Sequence, residues 1–173
     1  RRQRQMCIRD RFQNDIIHNI LNGKIHSMGE LQKNTSLLGV DINGSYRVIV
    51  FGMANESMTK GDFEAKVKDT NVLSEAIFRY ISNAKIHNDL DKIVVIQGVD
   101  KEQTQEEYRK EIKKVAESVQ GDVSKHNKHL KVKAGVGKVV NGIIHLPESF
   151  KEANEAFMFV DVAGEISEDG NPQ

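Results

Sequence analysis

Apolar residues along this chain keep two rhythms, helical and extended, and the changes between them mark the elements. Phe12, Ile16, Ile20 and Leu21 fall on one helical face ahead of Gly23, which predicts an amphipathic helix from about Gln3 to Asn22. Ser27 followed by Glu30 forms a capping box, opening a second helix that carries Leu31, Leu37 and Leu38 and stops at Gly39. Beyond the turn Asn43-Gly44-Ser45, Tyr46 to Met53 is rich in β-branched and aromatic residues. Its unbroken run Val48-Ile49-Val50-Phe51 predicts a central strand buried on both faces.

From Asp62 the apolar positions Phe63, Val67, Leu73, Ile77, Tyr80, Ile81 and Ala84 hold one face, predicting a long helix with a break near Thr70. Lys85 to His87 reads as a short strand, turned by Asn88-Asp89-Leu90-Asp91 into the apolar run Ile93 to Ile96, so a hairpin is expected. Thr104 and Glu107 cap a helix with Tyr108, Ile112, Val115, Ala116 and Val119 on its face, which Gly121 is expected to end or weaken. Val132, Ala134 and Val136 alternate as a strand running into Gly135-Val136-Gly137. A last helix opens at Pro147, with Ser149 to Glu152 as a third capping box and Phe150, Ala153, Ala156, Phe157 and Val160 at helical spacing. The order strand, helix, hairpin, helix, strand, helix predicts an α/β (α+β) domain of ferredoxin-like, nucleotide-cyclase type. Its mixed sheet would carry helices mostly on one face, preceded by an N-terminal helical pair.

The chain has 173 residues, with 25 Lys plus Arg against 25 Asp plus Glu. That balance removes the basic excess expected of a dedicated nucleic-acid binder. The lone Cys7 cannot form an internal disulfide and fits a reducing compartment. With neither a membrane-length apolar run nor a signal-peptide pattern, the expected location is cytoplasmic and no membrane partner is expected. Arg1-Arg2-Gln3-Arg4-Gln5 begins as if inside a charged helix, and Asp169-Gly170-Asn171-Pro172-Gln173 ends on turn formers, so a fragment of a longer protein is expected. The expected division is a helical lead-in over 1–43, an α/β domain over 44–164 and a polar tail over 165–173.

Gly135, Gly137, Ser149, Phe150, Glu152, Ala153 and Ala156 together resemble the signature of the GGDEF-like central domain of bacterial purine-catabolism and sugar-diacid regulators, the PucR/CdaR family. Phe12 to Asp41 resembles the helical lead-in of that family. The resemblance implies a transcription-regulator module between an upstream sensory domain and a C-terminal helix-turn-helix, acting in dimerisation and signal relay. It further implies a homodimer, DNA contact only through that helix-turn-helix, and an unidentified small-molecule effector. The Phe12, Ile16 and Ile20 stripe is the expected contact with the second copy; packing on the chain's own sheet is the alternative.

An active cyclase of this class holds cations with carboxylates at the first strand's end and on a glycine-rich hairpin. Here Phe51-Gly52-Met53-Ala54-Asn55-Glu56 has no aspartate at the strand end, and Asn88-Asp89-Leu90-Asp91-Lys92 has no glycine in the hairpin. The expectation is therefore no enzyme activity. Asp89 and Asp91 read as turn chemistry rather than a metal pair, and Gly135-Val136-Gly137 as close backbone packing rather than a phosphate loop. His126 and His129 lack the companions of a zinc site. Neither Cys7 nor Ser149 has the setting of a nucleophile, and Lys125 to Lys133 reads as a solvated basic face. No catalytic, cofactor-binding or metal residue is assigned. A nucleotide- or metabolite-sensing module is the second expectation, and a divergent active cyclase the third.

Overall fold

Strand β1 (Ser45–Asn55) lies at the centre of a mixed sheet. The computed structural model describes residues 13–55, 63–82, 84–89, 92–100, 102–159 and 166–168. On one side β1 pairs antiparallel with β3 (Lys92–Gly98), Val50 opposite Val94; on the other it pairs antiparallel with β4 (Leu130–Val136), Phe51 opposite Ala134. Outside β3 runs β2 (Ala84–Asp89), completing the expected hairpin. The short β5 (Val140–Asn141) pairs with the start of β1, and β6 (Ile166–Glu168) runs parallel to β4. The resulting order is β2-β3-β1-β4-β6.

Three helices connect or follow these strands: α3 (Phe63–Tyr80) joins β1 to β2, α4 (Gln105–His126) joins β3 to β4, and α5 (Leu146–Met158) follows β5. Two split β-α-β units thus share one sheet, the ferredoxin-like arrangement the element order predicts. Ahead of the sheet come α1 (13–21) and α2 (Met28–Leu38). None of the described helices is long and apolar enough to cross a membrane.

Val48, Ile49, Val50 and Phe51 are each fully buried, as their unbroken run predicts. Alternation sends Val48 and Val50 to one face, Ile49 and Phe51 to the other, so both faces need a cover. Ile49 and Phe51 share a core with Leu73 and Ile77 of α3 and Ile112 and Val119 of α4. Val48 and Val50 share the second core with α1, α2 and α5. Helices therefore lie on both faces, not mostly on one. Each large side chain so buried contributes about 1.5–3 kcal/mol of transfer free energy.

That second core also decides the fate of the α1 stripe. Ile16, Ile17, Ile20 and Leu21 are buried against the chain's own sheet, so the described part of the stripe packs within one chain. Phe12 lies outside the described residues. The lead-in is part of the domain core rather than a separate linker, and residues 166–168 of the expected polar tail form a strand.

Other departures are local. Helix α3 runs unbroken past Thr70, whose hydroxyl donates to the Lys66 carbonyl at 2.8 Å, while Val67 and Tyr80 are exposed and Ala84 belongs to β2. Helix α4 continues through Gly121, held by buried Val119 and Val123 on either side. On α2 the buried stripe is Leu31, Thr35 and Leu38, leaving Leu37 exposed. Two of the three expected caps form: Ser27 Oγ accepts from Glu30 N at 3.1 Å, one half of its expected box, and Thr104 and Glu107 exchange both bonds of theirs, while Gly39 ends α2 at φ 70°.

Candidate functional site

The end of β1 beside the β2–β3 hairpin is where a cyclase of this class would gather carboxylates. Here Gly52 stands opposite Lys133, and the Phe157 ring from α5 lies directly over it. A Cβ on Gly52 would come within 2.6 Å of Phe157 Cζ, so any side chain there would push the ring aside. The ammonium of Lys133 sits 4.7 Å from the ring centroid and that of Lys92 5.2 Å, both within cation–π range. Mg²⁺ and Ca²⁺ take oxygen donors, and two ammonium groups around an aromatic ring are a poor setting for either. Glu56 and Asp91 lie outside the described residues. Among the described residues no group of three or more His, Cys, Asp and Glu can hold a metal ion.

The glycine-and-serine signature forms the seam between α5 and the sheet. A Cβ on Gly135 would meet the Ala153 carbonyl oxygen at 2.3 Å and Phe157 N at 2.4 Å; one on Gly137 would meet the Ser149 carbonyl oxygen at 2.1 Å. Both glycines let the backbone of α5 rest on β4, the close-packing role expected of them. Ala153 and Ala156, both fully buried, keep the helix side of the contact equally thin. Glu152 accepts from Lys138 N at 3.2 Å and pairs with the Lys138 ammonium at 3.4 Å, tying down the loop after Gly137.

Ser149 departs from its expected capping role. Helix α5 begins at Leu146, directly after the 3-10 turn Ile143–His145, so Ser149 lies inside it and is fully buried. Its hydroxyl donates to the Lys138 carbonyl at 2.6 Å and accepts from Val48 N at 3.0 Å, stitching helix, loop and central strand. Ser149→Ala should therefore leave the buried Val48 N–H without its partner, remove the tie to the Lys138 carbonyl, and lower stability by about 1–3 kcal/mol. Urea denaturation checks this, with Ser149→Thr as a size control.

Sequence reasoning missed a buried polar cluster at the other end of the sheet. Arg47 is only 3% exposed, with its guanidinium carbon 4.2 Å above the Tyr108 ring and Nε donating to the Gly137 carbonyl. The Tyr108 hydroxyl donates to Gln97 Oε1 at 2.9 Å, and Gln97 is the direct cross-strand neighbour of Arg47. One polar residue flanking each of the two apolar runs was the only signal available. Beside the cluster, burial pushes the Tyr46 phenol above its ordinary pKa, and its hydroxyl donates to the Asp41 carbonyl at 2.6 Å.

The histidines form no metal centre among the described residues. His126 Nε2 lies 2.8 Å from Asp69, joining α4 to α3, and His129 is exposed. His87 is buried under α1, with its ring 5.9 Å from that of His18. Within the basic stretch Lys125 and Lys128 are exposed, whereas Lys131 and Lys133 are half-buried. Cys7 lies outside the described residues.

Comparison with known proteins adds three findings. A family model described as a GGDEF-like domain matches residues 22–158. No curated protein matches the chain. Among solved structures it is similar to the crystal structure of a regulator of polyketide synthase expression from Bifidobacterium adolescentis, at 9% identity and a TM-score of 0.47. That likeness covers 85% of this chain and 49% of the regulator, so the chain spans about half of that protein's length.

Proposed function

We propose, from the premise that this chain belongs to the GGDEF-like domain family, that it is a non-catalytic member serving dimerisation and signal relay in a bacterial transcriptional regulator of the PucR/CdaR type. One observation carries the non-catalytic part: the Phe157 ring over Gly52, flanked by Lys92 and Lys133, at the sheet end where catalysis would gather anions. The sequence of the adjoining hairpin, without glycine, supports the same reading. Packing supports the relay part of this reading. Helices α1 and α2 share one core with β1 and α5, which gives a displacement of the lead-in a packed route to α5. Because Ile16 and Ile20 of the α1 stripe are buried in that core, this reading places the two-fold contact on another face.

Incubation with GTP or ATP and Mg²⁺ or Mn²⁺ should yield no cyclic or linked nucleotide, and light scattering should give a dimer. Enzyme-dependent product that disappears in Asp89→Ala/Asp91→Ala would end the non-catalytic reading. A strict monomer at high concentration would end the dimerisation reading.

A further inference from the structure

Two hollows meet along Gly98–Asp100 at the end of β3, at the opposite end of that strand from the hairpin. The larger, about 670 Å³, lies between the loop after α2 and the start of β2, with Asp41, Tyr46 and Lys85 on its walls. The second, about 400 Å³, opens between β3 and the start of α4, among Glu102, Glu107 and Glu111. Both have the size that small metabolites occupy.

Their charges are sorted along the groove. Lys85 is half-buried on the edge strand and forms no ion pair among the described residues. Asp41 and Asp100 each accept a backbone N–H two residues on, at 3.0 Å, through one oxygen, leaving the other oxygen for a ligand. At the far end Glu107 Oε2 accepts from Thr104 N and Glu111 Oε2 accepts from Gln103 Nε2, which holds both carboxylates in place. Beneath them lies Gln97, 8% exposed, its carbonyl occupied by the Tyr108 hydroxyl. The residue forms part of the wall of the second hollow.

We propose that this groove binds a small α-amino acid with a cationic side chain. Lys85 takes its carboxylate, Asp41 and Asp100 its α-ammonium, and the Glu102, Glu107 and Glu111 end its cationic group. Gln97 donates to a ligand atom or its bridging water. Charge-assisted bonds at both ends favour such a ligand over neutral or singly charged analogues. Because α2 ends at Gly39 on the rim, occupancy would also restrain the lead-in. Only that coupling rests on the relay reading; binding does not.

The test is calorimetric titration of the 173-residue chain with L-arginine, with L-citrulline, which replaces the guanidinium by a neutral ureido group, and with agmatine, which lacks the carboxylate. L-Arginine should bind saturably, and each analogue about tenfold or more weakly. Lys85→Met should abolish the preference for arginine over agmatine, and Glu111→Gln should narrow that over citrulline. Both positions are at the surface, and unchanged melting curves in the absence of ligand establish that the variants fold. Absence of saturable arginine binding, equal binding of all three compounds, or arginine binding indifferent to both substitutions would overturn the proposal. Cyclase and light-scattering results are unaffected by any of these outcomes.

Discussion

Val50→Asp is expected to remove most or all of the stability of the domain. Val50 is fully buried in the core formed by β1, α1, α2 and α5, where its neighbours are aliphatic or aromatic. A carboxylate there would be packed among apolar side chains, and an uncompensated buried charge costs about 3–5 kcal/mol. Whole domains are stable by only about 5–15 kcal/mol. Val95→Asp makes the same test on the opposite face, against α3 and α4, and should be equally severe. Lys128, exposed after α4, provides the control: Lys128→Ala should stay within about 0.5 kcal/mol of the parent. Urea denaturation of the three variants reads the difference, and matching midpoints for Val50→Asp and Lys128→Ala would contradict the burial of β1.

Gly135→Ala should be nearly as damaging although it adds one methyl group. Its Cβ would sit 2.3 Å from the Ala153 carbonyl oxygen and 2.4 Å from Phe157 N. Those are backbone atoms of α5, so no side-chain rotation relieves the overlap and the helix must lift from β4. Overpacking of well-fitted cores costs about 1–3 kcal/mol, and more where the neighbours cannot yield. The loss should appear as a lowered denaturation midpoint and as faster amide exchange in α5. Gly121→Ala is the matched contrast. That glycine is exposed within α4 with nothing within 4 Å of the added atom, and alanine there should stabilise the protein by about 0.5–1 kcal/mol. Opposite signs for the two substitutions would separate a glycine needed for packing from one that is not.

What the chain announces by itself is whatever depends on neighbours in sequence. A Thr104–Glu107 box forms because both partners lie within one turn, and Gly39 ends α2 because a glycine accepts a left-handed backbone without strain. The run Val48 to Phe51 identifies a central strand, since four consecutive apolar residues can be dry only if both faces are covered. Even the absence of glycine from the hairpin is visible in the residues alone.

Tertiary structure decided every question of partnership. Periodicity marks the α1 stripe as a face to be buried but carries no record of what buries it, and the fold answers with the chain's own sheet. The same limit misplaced Ser149: its spacing to Glu152 suits a cap, yet the helix starts one turn earlier and the hydroxyl bonds Val48, 101 positions away in sequence. Arg47 meets Tyr108 and Gln97 only because β1 and β3 pair in one register. Likewise the ring of Phe157 reaches Gly52, and meets Lys92 and Lys133, only once α5 has docked on the glycines of β4. Local rules act over a few residues through backbone hydrogen bonds and side-chain spacing. Sites assemble from segments that loop closure brings together, at an entropy cost that grows only slowly with separation and leaves no mark in the intervening sequence.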